Sequence, residues 1–563
     1  MATLLEDRRF LIAASVLFAV NLVITNGSTP LFDQDEAAYA GFAHTMVSSG
    51  DWVTPSFLWS EDHRKPPLHF WAMAASMTAL GPTLLAARLP TSLAFVATCV
   101  LLAVWGGPLF GRRRAVGAAV VLATSLLPVF GKIALCDGLL LTAQTAAALA
   151  LLRRLDGGGV RWVVALWAAV AAGLLIKGPP VLILVGGMIA VLAVAHPGRR
   201  RLLGLHPWFG LPLATVPLTA WGWASWSTDD GETVRWMIDW YVLRRAGGAV
   251  FGQTGPPGTY LVVFLALLLP WTAQLPAALV GIARGVRVRS PWALGLLAWM
   301  AAGWWFYELL PSKLPAYALG AAPALALGIS TAALPASGRE PGGRLFAAGW
   351  LLQALLLVAL GGGLIAAAVT FPGDGALPIG LAGGGLVALG VVPAAAALRG
   401  RGSLALRIAC LGTMLFFLTA WVGLVPVLRP LLATTVDVAE RATVLAGPQG
   451  EAVFARNFRL PSLPFYLAVA GVPYRQVAAS EDPAAPLRGA APVVVIFDEK
   501  GFVAAEPRMP TAELTVEVIS GWIPDKGQPV RYWIVANRGP DPAEQGRGAS
   551  EPGTPAGTGV DTR

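Results

Sequence analysis

A polytopic α-helical membrane protein (about 13 transmembrane helices) ending in a small C-terminal α/β segment is the fold class that three observations predict. Apolar runs long enough to cross a bilayer recur through residues 1–428, charge is scarce, and clusters of arginine alternate with the runs. Of the 563 residues, 56% are hydrophobic and only 13% charged, with a mean hydropathy of +0.64. A helix of about 20 apolar residues spans the hydrocarbon layer, so composition alone excludes an ordinary soluble enzyme. The formal charge of +9 does not mark a nucleic-acid binder, because the arginines sit in short clusters between apolar runs rather than on one soluble face. Cys99, Cys136 and Cys410 are scattered through apolar sequence without metal-ligand spacing, so neither a disulfide framework nor a zinc site is indicated.

The runs fall at 10–26, 86–110, 115–131, 138–152, 162–176, 179–196, 208–226, 259–280, 291–310, 314–334, 345–371, 378–398 and 406–427. Arg8 and Arg9 precede the first run, and no small-residue cleavage site follows it, which predicts a retained signal anchor. The connections holding Arg112–Arg114, Arg153 with Arg154 and Arg161, Arg199–Arg201, Arg284 with Arg287 and Arg289, Arg339 with Arg344, and Arg399 with Arg401 and Arg407 are all even-numbered. One face therefore collects them all, and the positive-inside rule makes it cytoplasmic. An odd number of crossings puts the segment after 428 on the opposite, extracytoplasmic face, together with a long first loop over about 27–85. Within that loop, Leu68 to Leu80 is apolar but too short to span, and is expected to lie along the interface.

From 429 to 538 the pattern changes to short apolar or alternating runs, Glu451 to Phe454, Val493 to Phe497, Thr515 to Ile519 and Arg531 to Val535, separated by Pro, Gly and Asp. These predict strands mixed with helix in a small soluble domain. The tail, 539–563, is rich in Gly, Pro, Glu and Arg, and is expected to be disordered.

The extracytoplasmic face gathers most of the acids of the membrane segment and four of the six lysines, Lys65, Lys132, Lys177 and Lys313. Snorkelling explains any one such lysine, but it operates at both ends of a span, and here the arginine-rich face has none of the four. The set predicts an anionic ligand at that face. The acidic run at 33–36 follows the first crossing directly, with Tyr39 a turn later. Asp35 there can take a proton from a hydroxyl, with its basicity raised if the site is partly dry. The plainer alternative is that these acids cap an interfacial helix.

The stretch DEAAYAGFAHTMVSSGDWVTPSF, then RKPPLHFW and ARLPTSLA, resembles the first external loop of GT-C glycosyltransferases that use polyprenyl-phosphate-linked sugars. It is most similar to the aminoarabinose (lipid A) transferases, which are related to the protein O-mannosyltransferases. Further matching pieces follow in order: Asp137-Gly138, LLIKGPP at 174–180, YVLRR at 241–245, PW at 270–271, SKLPAYALGAAP at 312–323 and LPSLPFYL at 460–467. The resemblance implies inverting transfer of a monosaccharide from a polyprenyl-phosphate donor to an envelope acceptor at the bacterial inner membrane. Asp35 would be the base, with Glu36 beside it. Lys65 and Arg245, then Arg244, Lys313, Lys177 and Arg64, would hold the carrier phosphate, with Asp137, Tyr39 and Tyr317 supporting. Two departures bear on the substrate: Ala38 stands where the family commonly has arginine, and Asp62-His63-Arg64 replaces an aromatic residue and a glutamate before the KPPL lysine. Arg64 would then restore the missing cation. No metal site is carried over: a divalent metal is compatible with the family, but His44, His63, His69, His196 and His206 form no obvious ligand set. The acceptor stays open between a glycolipid and a protein, and a transporter or flippase of an anionic lipid is the alternative from another class.

Overall fold

The computed structural model describes residues 5–538 apart from 28, 33–34, 245–253, 334–343, 371–374, 425–426, 456–459, 479, 512–513 and 524–527. Asp33, Arg245 and the tail 539–563 lie outside the described residues. The chain up to about 424 is helical. Its opening elements are α1 (Arg8–Val23), α2 (Asp35–Ser49), α3 (Leu68–Leu80), α4 (Leu84–Trp105), α5 (Arg112–Ala123), α6 (Cys136–Leu155) and α7 (Val160–Lys177). Among the described residues, seven helices are long and apolar enough to cross a membrane, and an eighth candidate is broken, Thr259–Leu267 turning by 119° into Trp271–Arg287. The thirteen apolar runs are therefore not thirteen straight spans. The run at 115–131 stops being α-helical at Ala123, that at 179–196 makes a 16-residue helix, Pro180–Ala195, and that at 291–310 passes through a π-turn, Ala301–Trp305. Apolarity reports burial or lipid contact; it does not report where the backbone bends.

Local sequence explains how helix ends are delivered to one place. Thr83 caps α4 by accepting from the Ala86 amide at 3.1 Å, which puts Arg88 in the second turn. α7 ends at Lys177 because Gly178 adopts φ +79° and its amide returns to the carbonyls of Gly173 and Leu174, while Pro180 starts the next helix. The ends of α2, α4, α6 and α7 nearest Asp35 thus carry Asp35 and Glu36, Arg88, Asp137, and Lys177 respectively.

After 428 a five-stranded sheet forms in the order β2-β1-β3-β5-β4, from β1 (Glu451–Phe454), β2 (Tyr474–Gln476), β3 (Val493–Asp498), β4 (Thr515–Ile523) and β5 (Gln528–Ala536). β1, β2 and β3 run parallel, and β5 is antiparallel to both β3 and β4, with Val495 opposite Val453 on one side and Val535 on the other. β3 is buried along Val493–Phe497, as a central strand covered on both faces must be. The four expected strand stretches lie on β1, β3, β4 and β5; β2, three residues long, carries too little pattern to be read.

The sheet and the helix Ser462–Val469 that follows β1 touch the first loop. Tyr466 accepts the Leu31 amide at 2.8 Å, Trp59 donates its indole N–H to Gln476 at 3.0 Å, and the Trp59 ring meets Phe454 edge-on at 4.8 Å. Trp59 has φ +62°, a conformation disfavoured for a bulky residue, and these contacts hold it there.

Candidate active site

Two adjacent carboxylates at the start of α2 have opposite fates. Glu36 is 1% exposed and its four acceptor positions are taken: Oε1 by Arg88 Nε at 2.8 Å and the Ala134 amide at 2.8 Å, Oε2 by Arg88 Nη2 at 3.1 Å and the Phe32 amide at 2.9 Å. Arg88, itself fully buried, also donates to Asn26, Thr29 and Pro30. Glu36 is therefore a brace tying α2 to α4 and to the turn before α6, not a second catalytic acid. Asp35 keeps 55% of its side chain exposed and is reached by His63, whose Nδ1 lies 2.9 Å from Oδ1. In its recess desolvation alone would raise the Asp35 pKa, but the His63 hydrogen bond, followed by the charges of Lys65, His63 and Lys177, holds it below the usual carboxylate range. The expectation of raised basicity is corrected: cations and a hydrogen bond outweigh partial drying.

The cations sort as clearly. Lys65, 7% exposed, donates to the Tyr241 hydroxyl, with its Nζ 3.9 Å from that ring's centroid and 5.8 Å from Tyr39's. Lys177 pairs with Asp137 at 2.6 Å and lies 5.8 Å from the Tyr317 ring. Arg64 reaches from the Pro55 carbonyl to Glu232 at 3.2 Å, and Arg244 pairs with Asp239 at 2.7 Å over Trp240. Tyr39 is buried edge-on to His69 and Phe70, a packing role. Lys313 differs from expectation: buried, it caps the Tyr307 and Glu308 carbonyls at 2.8 and 2.7 Å, so it closes a helix end rather than facing a ligand. Lys132 likewise holds the Asn21 carbonyl at 2.6 Å and the Thr25 hydroxyl beneath the Trp421 ring, tying the turn before α6 to the end of α1. Two of the four lysines that suggested an anion site are thus structural.

The structure adds three residues that sequence reasoning missed. His63 was discounted for want of a metal set, Arg88 passed without remark inside ARLPTSLA, and Tyr241 preceded the basic pair that drew attention. Among the described residues no group of three or more His, Cys, Asp or Glu side chains could hold a metal ion.

Residues 64–223 match the family model for dolichyl-phosphate-mannose-protein mannosyltransferase. The chain is 28% identical over 337 residues to the undecaprenyl phosphate-alpha-4-amino-4-deoxy-L-arabinose arabinosyl transferase of Aeromonas salmonicida, covering 57% of this chain and 59% of that protein. With the same-named protein of Aeromonas hydrophila it shares 30% over 305 residues, 52% of this chain and 54% of that one. The match thus spans little more than half the length of these curated relatives. ArnT from Cupriavidus metallidurans, in a crystal structure with undecaprenyl phosphate bound, superposes with a TM-score of 0.74 at 19% identity, over 94% of this chain and 99% of that one. The chain has the GT-C fold of the aminoarabinose transferases. The residues that the family model matches, 64–223, contain Lys65, Arg88, Asp137 and Lys177, so the sequence similarity includes this cluster of helix ends.

Proposed function

We propose that the chain is an inverting membrane glycosyltransferase that moves a monosaccharide from a polyprenyl-phosphate carrier to lipid A or a related glycolipid. The observation that carries this reading is one exposed carboxylate, Asp35, hydrogen-bonded to His63 and lowered in pKa by nearby cations with Lys65 foremost. Retention by double displacement needs a second free carboxyl about 5 Å away. Glu36 is fully occupied by Arg88 and two amides, which leaves Asp35 as the exposed carboxylate at the start of α2. A single base fits inversion.

In the step we propose, the acceptor oxygen attacks the anomeric carbon from the face opposite the phosphate, the bond from that carbon to the phosphate oxygen breaks, and the acceptor proton passes to Asp35. A weakly basic carboxylate suffices, because the hydroxyl acidifies as it bonds to an oxocarbenium-like carbon. The carrier leaves as a phosphate anion. Lys65, Lys177, Arg64, Arg244 and Arg245 are the groups proposed to receive it; Lys177, Arg64 and Arg244 would exchange their present carboxylate partners for phosphate oxygens. Tyr241 and Tyr317 would orient the two lysines. In this reading the site, the first loop and the sheet face the periplasm across a bacterial inner membrane, opposite the arginine clusters that the positive-inside rule assigns to the cytoplasm.

The match to the mannosyltransferase model supports a second reading, a protein acceptor. Purified wild-type protein given labelled polyprenyl-phosphate sugar with either lipid A or Ser/Thr-rich peptide separates them: label in the lipid fraction alone is expected, and label in peptide alone would replace the glycolipid reading. Leaflet exchange of the donor without transfer to either would favour a flippase.

A further inference from the structure

At the ends of α4, α6 and α7 remote from Asp35, an open cavity of about 400 Å³ is lined by Trp105 and Val104 from α4, Arg153 from α6, and Arg161, Trp162 and Ala165 from α7. Trp105 and Trp162 meet edge-on at 5.0 Å, and both guanidinium groups lie against the Trp162 ring, at 4.8 Å for Arg153 and 5.5 Å for Arg161. The only carboxylate paired here among the described residues is that of Asp156, 3.9 Å from Arg153, and no described ion pair engages Arg161. Two donors are buried without a hydrogen-bond partner among the described residues, Arg153 Nε and Trp162 Nε1, and Trp162 is 8% exposed. Cations in excess of carboxylates and donors lacking acceptors are the complement of an oxyanion. The arginine clusters assign this end to the cytoplasmic interface, where anionic lipid headgroups lie. Val104, on the cavity wall, is 62% exposed, so the opening leads onto a flank suited to acyl chains.

We propose that this cavity binds the phosphate headgroup of an anionic glycerophospholipid, with Arg153 and Arg161 on the phosphate, an N–H of Trp162 as neutral donor, and the acyl chains along the α4 and α7 flank. The probe is phosphatidylglycerol added to the purified full-length protein in detergent, with binding read by native mass spectrometry and phosphatidylcholine as the uncharged comparison. Arg161→Gln, at an exposed position, is expected to weaken phosphatidylglycerol binding about tenfold, and Arg153→Gln with Arg161→Gln more. Arg399→Gln with Arg401→Gln, two exposed arginines assigned to the same face but outside the cavity, should leave it within twofold. Equal loss in that control pair would mean diffuse charge and overturn the site, as would equal retention of phosphatidylcholine. Millimolar inorganic phosphate should not displace the lipid; full displacement would make the site one for free phosphate instead. Since the double variant could unfold, the single Arg161→Gln result, with thermal unfolding monitored beside it, decides.

Discussion

Glu36→Gln separates a structural from a catalytic role for the acid beside Asp35. In the native protein the Glu36 carboxylate accepts four hydrogen bonds, two from Arg88, in a pair whose side chains are each 1% exposed. An amide keeps one oxygen and places an NH2 group against two donors, either Arg88 Nη2 with the Phe32 amide or Arg88 Nε with the Ala134 amide. Two bonds are lost, and a buried guanidinium is left without its counter-charge. Removing one partner of a buried pair costs about 3–5 kcal/mol, a large part of the 5–15 kcal/mol that usually separates folded from unfolded states. The expected outcome is a sharp fall in the unfolding midpoint of the detergent-solubilised protein, followed by size-exclusion fluorescence. Turnover per folded molecule at low temperature should stay within about threefold of wild type. A Glu36→Gln protein with an unchanged midpoint and turnover reduced a thousandfold would refute the assignment and return Glu36 to the chemistry.

Three further outcomes follow from the same geometry. His63→Gln removes one of the contacts that lower the Asp35 pKa while the desolvation that raises it remains, so the acid limb of the pH–rate profile should move to higher pH. Wild type then keeps activity at acid pH where the variant loses it, and coincident profiles would remove His63 from the site. Lys65→Ala should raise the donor KM about tenfold to a hundredfold through one lost charge-assisted phosphate contact of roughly 1.5–3 kcal/mol; an unchanged KM with lower kcat would place Lys65 elsewhere in the reaction. Trp59→Ala removes the indole bond to Gln476 and the ring contact with Phe454 that join the sheet to the loop before His63. It should raise donor KM while leaving the midpoint of the helical part unchanged, and wild-type kinetics would show that the sheet does not set the loop.

Much of this was legible in the sequence where the physics is local or repetitive. Helix content followed from apolar run length, and four strands from short buried or alternating runs. What was not legible depends on partners distant in the chain. Glu36 and Asp35 are neighbours in sequence with like charge, and only Arg88, 52 positions after Glu36, divides their roles. Lys313 and Lys132 fall on the same predicted face as Lys65 and Lys177, yet backbone carbonyls five to six and 111 positions away occupy them. Proximity also set the Asp35 pKa: burial was foreseeable from an apolar setting, whereas the opposing hydrogen bond comes from His63 in a separate short helix. The broken span at 259–287 shows a related limit: Pro270 in the break marks where the first helix stops, but not the 119° by which the chain turns.

The central claim, that Asp35 is the single base of a polyprenyl-phosphate sugar transfer, is tested most directly by release of polyprenyl phosphate from labelled donor by wild-type and Asp35→Asn protein with envelope lipids as acceptor. The predicted result is release by wild type and its loss by a thousandfold or more in Asp35→Asn, with donor binding and the unfolding midpoint retained. Release by the variant at a rate close to wild type would contradict the claim.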